Sequence, residues 1–241
     1  MANCSCPERY ELLLTCEHAV NEVPEAYRYL FAGREEVLST HRGYDLYALD
    51  IAGRLARAFH APLLAAKVTR LLVDCNRSPA SRDLFSTYSR PLSRQEKERI
   101  RAAWHAPHQA AAARAVSRVI ETGALALQLA IHSFTPVLNG RVRTADLGLL
   151  YDPARSHERE LCGRWLTELR REAPELRLRR NYPYLGKTDS LPTMLRKRFP
   201  ETQYLAIELE ISQGCAEALG ASHLAGIIAA SLGRTLFTLV S

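Results

Sequence analysis

Short apolar runs separated by longer stretches with helical spacing recur along this chain, and that alternation admits few architectures. Strands joined by crossover helices run parallel and have both faces covered, so an α/β fold with a largely parallel sheet is the expectation. Leu12-Leu13-Leu14-Thr15-Cys16 reads as a buried strand leading into Glu17-His18-Ala19. Helical spacing follows from about Asp45 through Ile51, Leu55, Ala56 and Phe59, and a second strand pattern covers Pro62 to Val73. After a loop rich in Pro, Ser and Arg come a long helix from about Arg94 to Ile120 and strands over Ala124 to Ile131 and Ala145 to Tyr151. A helix from about Ser156 to Arg171, a turn-rich loop from Asn181 to Gly186, a strand over Thr202 to Ile211 and a C-terminal helix complete the order. No internal repeat, low-complexity tract or linker interrupts residues 1–241, so one domain spanning them is expected.

Composition narrows the function classes. A chain of 241 residues that is 47% hydrophobic and 24% charged is neither disordered nor fibrous. Its net charge of +6 suits small anionic molecules, and without helix-turn-helix or zinc-finger spacing a nucleic-acid role is not expected. The first residues carry no basic stretch followed by an apolar one, and Ser231, Gly233 and Arg234 interrupt the apolar segment from Leu224 to Val240. Neither a secretory signal nor a membrane span is expected, and the expected location is the cytoplasm. The six cysteines are scattered, which argues against a disulfide framework. Cys4 and Cys6 form only a weak metal signal, and the others read as small core residues.

Ionisable residues gather at the carboxyl ends of several predicted strands: Glu17 with His18, Asp74 with Asn76 and Arg77, His132 with Ser133, and Glu208 with Glu210. In an open α/β sheet that edge is where ligand sites form. His18 and His132 are the natural metal candidates, since a neutral imidazole on a rigid strand end offers a lone pair. A catalytic zinc takes three protein ligands and leaves a position open, so a carboxylate is needed, either Asp45 at the start of a helix or Glu17. His41, His60, His157 and His223 read as surface or structural residues. Glu208 and Glu210 share one face of their strand by period-two parity, and such a pair is costly to bury unless it meets a cation, a metal or a proton. It therefore reads as a source of a general base, against the alternative of an exposed edge-strand face. Arg70, Arg77 and Arg143 lie near the same loops and suit an acidic substrate.

These residues resemble the N-formylglutamate amidohydrolase family. The opening block Thr15-Cys16-Glu17-His18-Ala19-Val20-Asn21-Glu22-Val23-Pro24 is similar to that family's strand-to-loop signature, and further blocks follow in order. They include Gly43-Tyr44-Asp45, Thr69 to Arg77, His105-Ala106-Pro107-His108, Ile131 to Pro136, Gly140 to Arg143, Asp146 to Tyr151, Asn181 to Tyr184 and Leu209-Glu210-Ile211. Two departures stand out: Cys16-Glu17-His18-Ala19 replaces the P-H-S-G type of loop, and Tyr47 stands where glycine is common.

The resemblance implies a phosphorylase/hydrolase-like fold, a three-layer α/β/α domain with a mostly parallel mixed sheet. It also implies zinc, or another divalent metal, on His18, Asp45 and His132, with one ion per chain. Glu210 is then the general base, Arg70 a stabiliser of the oxyanion, and Asn76, Arg77, Arg143 and Tyr184 contacts to an anionic N-acyl amino acid. The implied reaction is metal-assisted hydrolysis of the N-formyl or N-acyl amide of an acidic amino acid such as N-formyl-L-glutamate. The alternatives are another N-acyl amino acid or peptide-like amide as substrate, or a non-catalytic binding protein for an acidic metabolite.

Overall fold

In the computed structural model, which describes residues 9–240 with side chains through residue 237, a six-stranded mixed sheet runs through the molecule. Its strands are β1 (Tyr10–Cys16), β2 (Leu63–Ala65), β3 (Leu125–Phe134), β6 (Leu147–Leu150), β7 (Leu178–Arg180) and β8 (Tyr204–Ser212). They lie in the order β2-β1-β3-β8-β6-β7, parallel throughout except where β6 meets β8. β4 (Val137–Leu138) and β5 (Arg141–Val142) form a separate hairpin. The helices are α1 (Ala48–Phe59), α2 (Arg94–Ile100), α3 (Ala106–Glu121), α4 (Ser156–Glu172), α5 (Leu191–Arg198), α6 (Gln213–Leu219) and α7 (Ala221–Val240). The expected three-layer, mostly parallel α/β/α arrangement is the one observed.

Strand parity divides the core. On β3 and β8 the odd-numbered residues Leu127, Leu129, Leu205 and Ile207 join Ile51 and Leu55 of α1, Trp165 of α4 and Ile228 of α7 in one cluster. The even-numbered Ala126, Tyr204 and Ala206 face the other way, onto Ala112 and Val116 of α3 and Leu191 and Leu195 of α5. The same parity sends His132, Glu208 and Glu210 to the α3/α5 face, at the strand ends. There His132 is the register partner of Glu210. β8 lies between β3 and β6 and is buried along its length, so its two glutamates are not on an exposed edge.

Several predicted elements have different bounds. The apolar run from Pro62 to Val73 yields only the three-residue edge strand β2. Beyond Ala65 the chain leaves the sheet, and Val68, Leu71, Leu72 and Val73 bury themselves against Phe31, Leu84 and Ile100 in a second core built from loops and α2. Apolarity there reflects burial in a loop layer and not a ladder. The long predicted helix is continuous from Arg94 to Glu121 but widens into a π turn at Arg101–His105. The C-terminal helix is two, α6 and α7, broken at Gly220, whose φ of 79° ends α6. No described single helix is long and apolar enough to cross a membrane, and the pair that passes that test together is bent by 103°. Cys16, Cys75, Cys162 and Cys215 are buried and free, while Cys4 and Cys6 lie outside the described residues.

One buried ion pair ties the helical layers to the site. Glu158 of α4 accepts from Arg196 Nε at 2.9 Å, from the Ala206 amide at 3.1 Å and from the Asp152 amide at 2.9 Å. Arg196 of α5 also donates to the carbonyls of Gly186 (2.6 Å) and Ala206 (3.0 Å). Removing one partner of such a pair strands the other charge, so Glu158→Gln is expected to lower the unfolding free energy by about 3 kcal/mol in denaturant titrations. A loss under about 1 kcal/mol would show that the pair is dispensable.

Candidate metal and catalytic centre

His18 stands two residues beyond β1, Asp45 in the turn leading into α1, and His132 near the end of β3. The Asp45 amide donates to the His18 carbonyl at 2.9 Å, which fixes the two loops together. One ligand atom from each of the three residues lies within 4.8 Å of the others, and all three residues are buried. Asp45 Oδ2 is the shared point: His132 Nδ1 is 2.9 Å away, His18 Nδ1 3.3 Å, and the Ser133 amide donates to it at 3.2 Å.

The outer ring nitrogens face carboxylates. His18 Nε2 meets Asp74 Oδ1 at 2.8 Å, and His132 Nε2 meets Glu17 Oε2 at 3.2 Å, an ion-pair distance without the alignment of a full hydrogen bond. Arg70 Nη1 lies 3.1 Å from His18 Nδ1, the same nitrogen that faces Asp45, while Nε2 is directed at Asp74. A carboxylate behind each histidine orients the ring and raises its basicity toward a metal. Glu17, the competing ligand in the sequence, thus backs His132 from outside while Asp45 takes the inner position. Tyr47, just before α1, has a φ of 66°, a left-handed conformation uncommon for a bulky side chain.

Charge explains what the centre attracts. Glu17, Asp45, Asp74, Glu208 and Glu210 are all buried, and among the described residues the guanidiniums that ion-pair with this group are those of Arg70, at Asp45 and Asp74, and Arg77, at Asp74. Burial disfavours the imidazolium form of His18, and Arg70 adds to that, yet Asp74 and Asp45 outweigh both and raise its pKa. His132 is likewise raised, well above the ordinary imidazole value, because its contacts with Asp45 and Glu17 overcome burial. Against burial, His18 and His132 hold Asp45, and His18 with Arg70 holds Asp74, well below the usual carboxylate range. The field that draws protons onto these rings draws a divalent cation equally, and two imidazole nitrogens with one carboxylate oxygen form a donor set that fits zinc.

Glu210 has the opposite environment. Burial pushes its carboxyl up to about 7, with Asp45 and Glu208 adding to the rise against His132, and its Oε2 is buried with no hydrogen-bond partner. Glu208 is also raised by burial, and it accepts from Ser190 Oγ at 3.2 Å. Opposite Glu210, β6 carries Gly148, where any Cβ would collide with the Tyr182 carbonyl oxygen.

These groups line a cavity of about 450 Å3 that also includes Arg70, Asn76, Arg77, Arg143 and Tyr184, so all the sequence-selected site residues converge on one place. Asn76 Oδ1 accepts from the Leu191 amide at 2.8 Å and its Nδ2 approaches His132 Nε2 at 3.4 Å. Arg77 donates to the Asp189 carbonyl, while its buried Nε has no hydrogen-bond partner. Arg143 donates to Tyr184 Oη at 3.1 Å and lies over the rings of Phe134 and Tyr184. His41, taken from the sequence as a surface residue, also lines the cavity. The role of Asp74 was open to discovery from its place at the polar end of an apolar run. Nothing in the spacing singles out Asp189 or Ser190, which arrive from a distant loop. His105 Nε2 donates to the Arg77 carbonyl at 2.8 Å, and Gln109 donates to the carbonyls of Cys75 and Arg77, so the π turn braces the Asp74–Arg77 loop.

The sequence profile of the N-formylglutamate amidohydrolase family matches residues 10–216. The chain belongs to that family of amidohydrolases. Among solved structures it is similar to the gene product Atu2144 from Agrobacterium tumefaciens, at 28% identity and a TM-score of 0.84, covering 96% of this chain and 92% of that one. It shares its fold with the N-formylglutamate amidohydrolase from Ralstonia eutropha JMP134, at 19% identity and a TM-score of 0.68, over 98% and 96% of the two chains. No curated protein sequence matches the chain significantly. In this family member the His18–Asp45–His132 group is a buried centre able to hold a metal ion.

Asp74→Asn keeps an acceptor near His18 but removes the charge, and is expected to weaken zinc binding by about 10- to 100-fold in chelator competition. Zinc needs both imidazoles neutral, and both pKa values are raised above 6.5, so wild-type affinity is expected to keep rising with pH beyond that value. Affinity that levels off below it would contradict the charge balance described here.

Proposed function

We propose that the protein is a zinc-dependent amidohydrolase that cleaves the N-formyl or N-acyl amide of an acidic amino acid, with N-formyl-L-glutamate as the reference substrate. The observation that carries this reading is Glu210: a buried carboxyl with an unpartnered oxygen and a pKa of about 7, on the strand beside His132. A purely structural carboxylate would be paired; a general base has to be free to meet water. The family supports amide hydrolysis, and the relative from Ralstonia eutropha carries the N-formylglutamate name.

His18, Asp45 and His132 would hold the ion, and zinc supplies Lewis acidity that brings the pKa of water toward about 7 and polarises a carbonyl. Glu210, as carboxylate, takes a proton from the water that attacks the amide carbon. Arg70 stands at the edge of the ligand group and donates to the oxyanion that develops as the carbonyl opens. When the C–N bond breaks, Glu210 returns its proton to the leaving amine, so the products are the free carboxylic acid and the amino acid. Arg77, with Asn76, and Arg143 at the rim hold substrate carboxylate. Arg77 Nε is an unused buried donor, and among the described residues no carboxylate forms an ion pair with Arg143.

Elemental analysis of purified protein is expected to give about one zinc per chain, lost in His132→Ala, together with N-formyl-L-glutamate hydrolysis by the wild type. Glu210→Gln is expected to retain zinc while kcat falls by about 10^2- to 10^4-fold. Because the base works deprotonated, activity rises with pH, and its acid limb is expected at or below about 7, the zinc charge pulling the Glu210 pKa down from that value. A Glu210→Gln enzyme with wild-type kcat would sink the assignment.

A further inference from the structure

One side of the cavity is mostly polar and the other carries an apolar patch. Its ionisable lining comes mainly from the loops after β1 and β2, from His132 of β3 and from Glu208 and Glu210 of β8, with Arg143 and Asp189 added beside the apolar patch. Its apolar lining comes from the opposite quarter: Leu138 of the β4–β5 hairpin, Leu150 at the end of β6, and Tyr184 and Leu185 of the loop after β7, with Phe134 beneath. Tyr184 is 47% exposed and Leu185 50%, two adjacent large apolar groups that line the cavity.

The wall is built rather than loose. Asn181 Oδ1 accepts from the amides of Tyr151 (3.1 Å) and Gly186 (2.9 Å), closing the loop on itself. Tyr182 Oη accepts from the Thr144 amide at 3.0 Å, and Tyr184 is held by the Arg143 guanidinium through its hydroxyl and its ring. Arg196, locked by Glu158, grips the Gly186 carbonyl from behind. Tyr184 and Leu185 are therefore presented at the mouth by fixed backbone. The cavity volume of about 450 Å3 falls in the range of roughly 300–1,000 Å3 that takes drug-sized molecules, more than a formylated amino acid fills.

Resting on the amidohydrolase reading of the centre, we infer that the preferred substrate carries an apolar group of several carbons beside the scissile amide, packed on Leu138, Tyr184 and Leu185. A formyl compound of an acidic amino acid offers no carbon chain to Leu138 and Leu185. The apolar group belongs either to the acyl chain or to the side chain on the amine. Both place the same chemistry on the wall, and matched substrates distinguish them.

The test compares zinc-loaded wild type on N-formyl-L-glutamate, N-hexanoyl-L-glutamate and N-formyl-L-phenylalanine. One of the two apolar compounds is expected to exceed N-formyl-L-glutamate in kcat/KM by at least about tenfold, an increment hydrophobic contacts supply. Faster N-hexanoyl-L-glutamate assigns the group to the acyl side, and faster N-formyl-L-phenylalanine to the amine side. Leu185→Asn, at an exposed position, is expected to reduce that preference about tenfold, with Leu138→Asn as the second variant if the first misfolds. N-formyl-L-glutamate as the best of the three, or variants that lower all substrates equally, would overturn the inference. If no compound is cleaved, the amidohydrolase reading fails by itself, and calorimetry still decides the wall. Tighter binding of either apolar compound than of N-formyl-L-glutamate upholds it, and equal or weaker binding of both overturns it.

Discussion

Asp45 Oδ2 is the atom on which the rest of the site depends. Both inward ring nitrogens and the Ser133 amide converge on it, and its own backbone is tied to His18. Burying one carboxylate with two imidazoles would be unfavourable in isolation, and the fold adds further buried carboxylates around them. The surplus of negative charge can be met by protons or by a cation. Neighbouring carboxylates raise the pKa values of His18 and His132 against burial, while burial, ahead of any neighbouring charge, raises those of Glu208 and Glu210. A divalent ion at the ligand group answers the same deficit without consuming the base, because Glu210 is then free to ionise. Folding and chemistry thus draw on one electrostatic arrangement.

The sheet order places that arrangement. β1, β3 and β8 are adjacent and parallel, so their carboxyl ends bring Glu17 and His18, His132, and Glu208 and Glu210 to one edge. Parity then selects the α3/α5 face, and α5 stops supplying apolar cover where the cavity begins. On the same face a buried ladder of Thr15, Gln128 and Tyr204 crosses these three strands, Tyr204 donating to Gln128 and Gln128 to Thr15 at 2.8 Å. The polar stripe therefore continues from the interior to the site, paired by hydrogen bonds below and left for ligand above.

Most of the site was legible in the sequence because the chemistry lies on strand ends, where an apolar run breaks into ionisable residues. His18, His132, Glu210 and Arg77 were nameable that way, and period-two parity alone put Glu208 beside Glu210. Asp45 stood at a helix start, Arg70 and Arg143 lay near the same loops, and the choice of Asp45 over Glu17 and of Glu210 over Glu208 came from the family resemblance. What the sequence concealed depends on chain paths that periodicity does not encode. The stretch from Ala66 to Val73 has the composition of a strand but packs in a loop core, and the carboxylates behind the histidines were not separable from candidate ligands until the ring orientations were known. Tyr47 is intermediate: the resemblance set it apart in the sequence, while its left-handed backbone is visible only in the structure.

The two halves of the cavity differ in what they can discriminate. On the proposed reading, the metal ligands and Glu210 would recognise an amide and the water that cleaves it, properties common to every N-acyl amino acid. Arg77 and Arg143 would add a demand for carboxylate, still shared by a wide class. On the same reading, selection within that class would fall to the Leu138, Tyr184 and Leu185 wall, which comes from the hairpin and the loop after β7, outside the strands that carry the buried carboxylates and imidazoles. The wall is anchored through Asn181, Tyr182 and Arg196 and not through the loops that carry His18 and Asp45. Reaction type and substrate preference would then be held by separate parts of the chain.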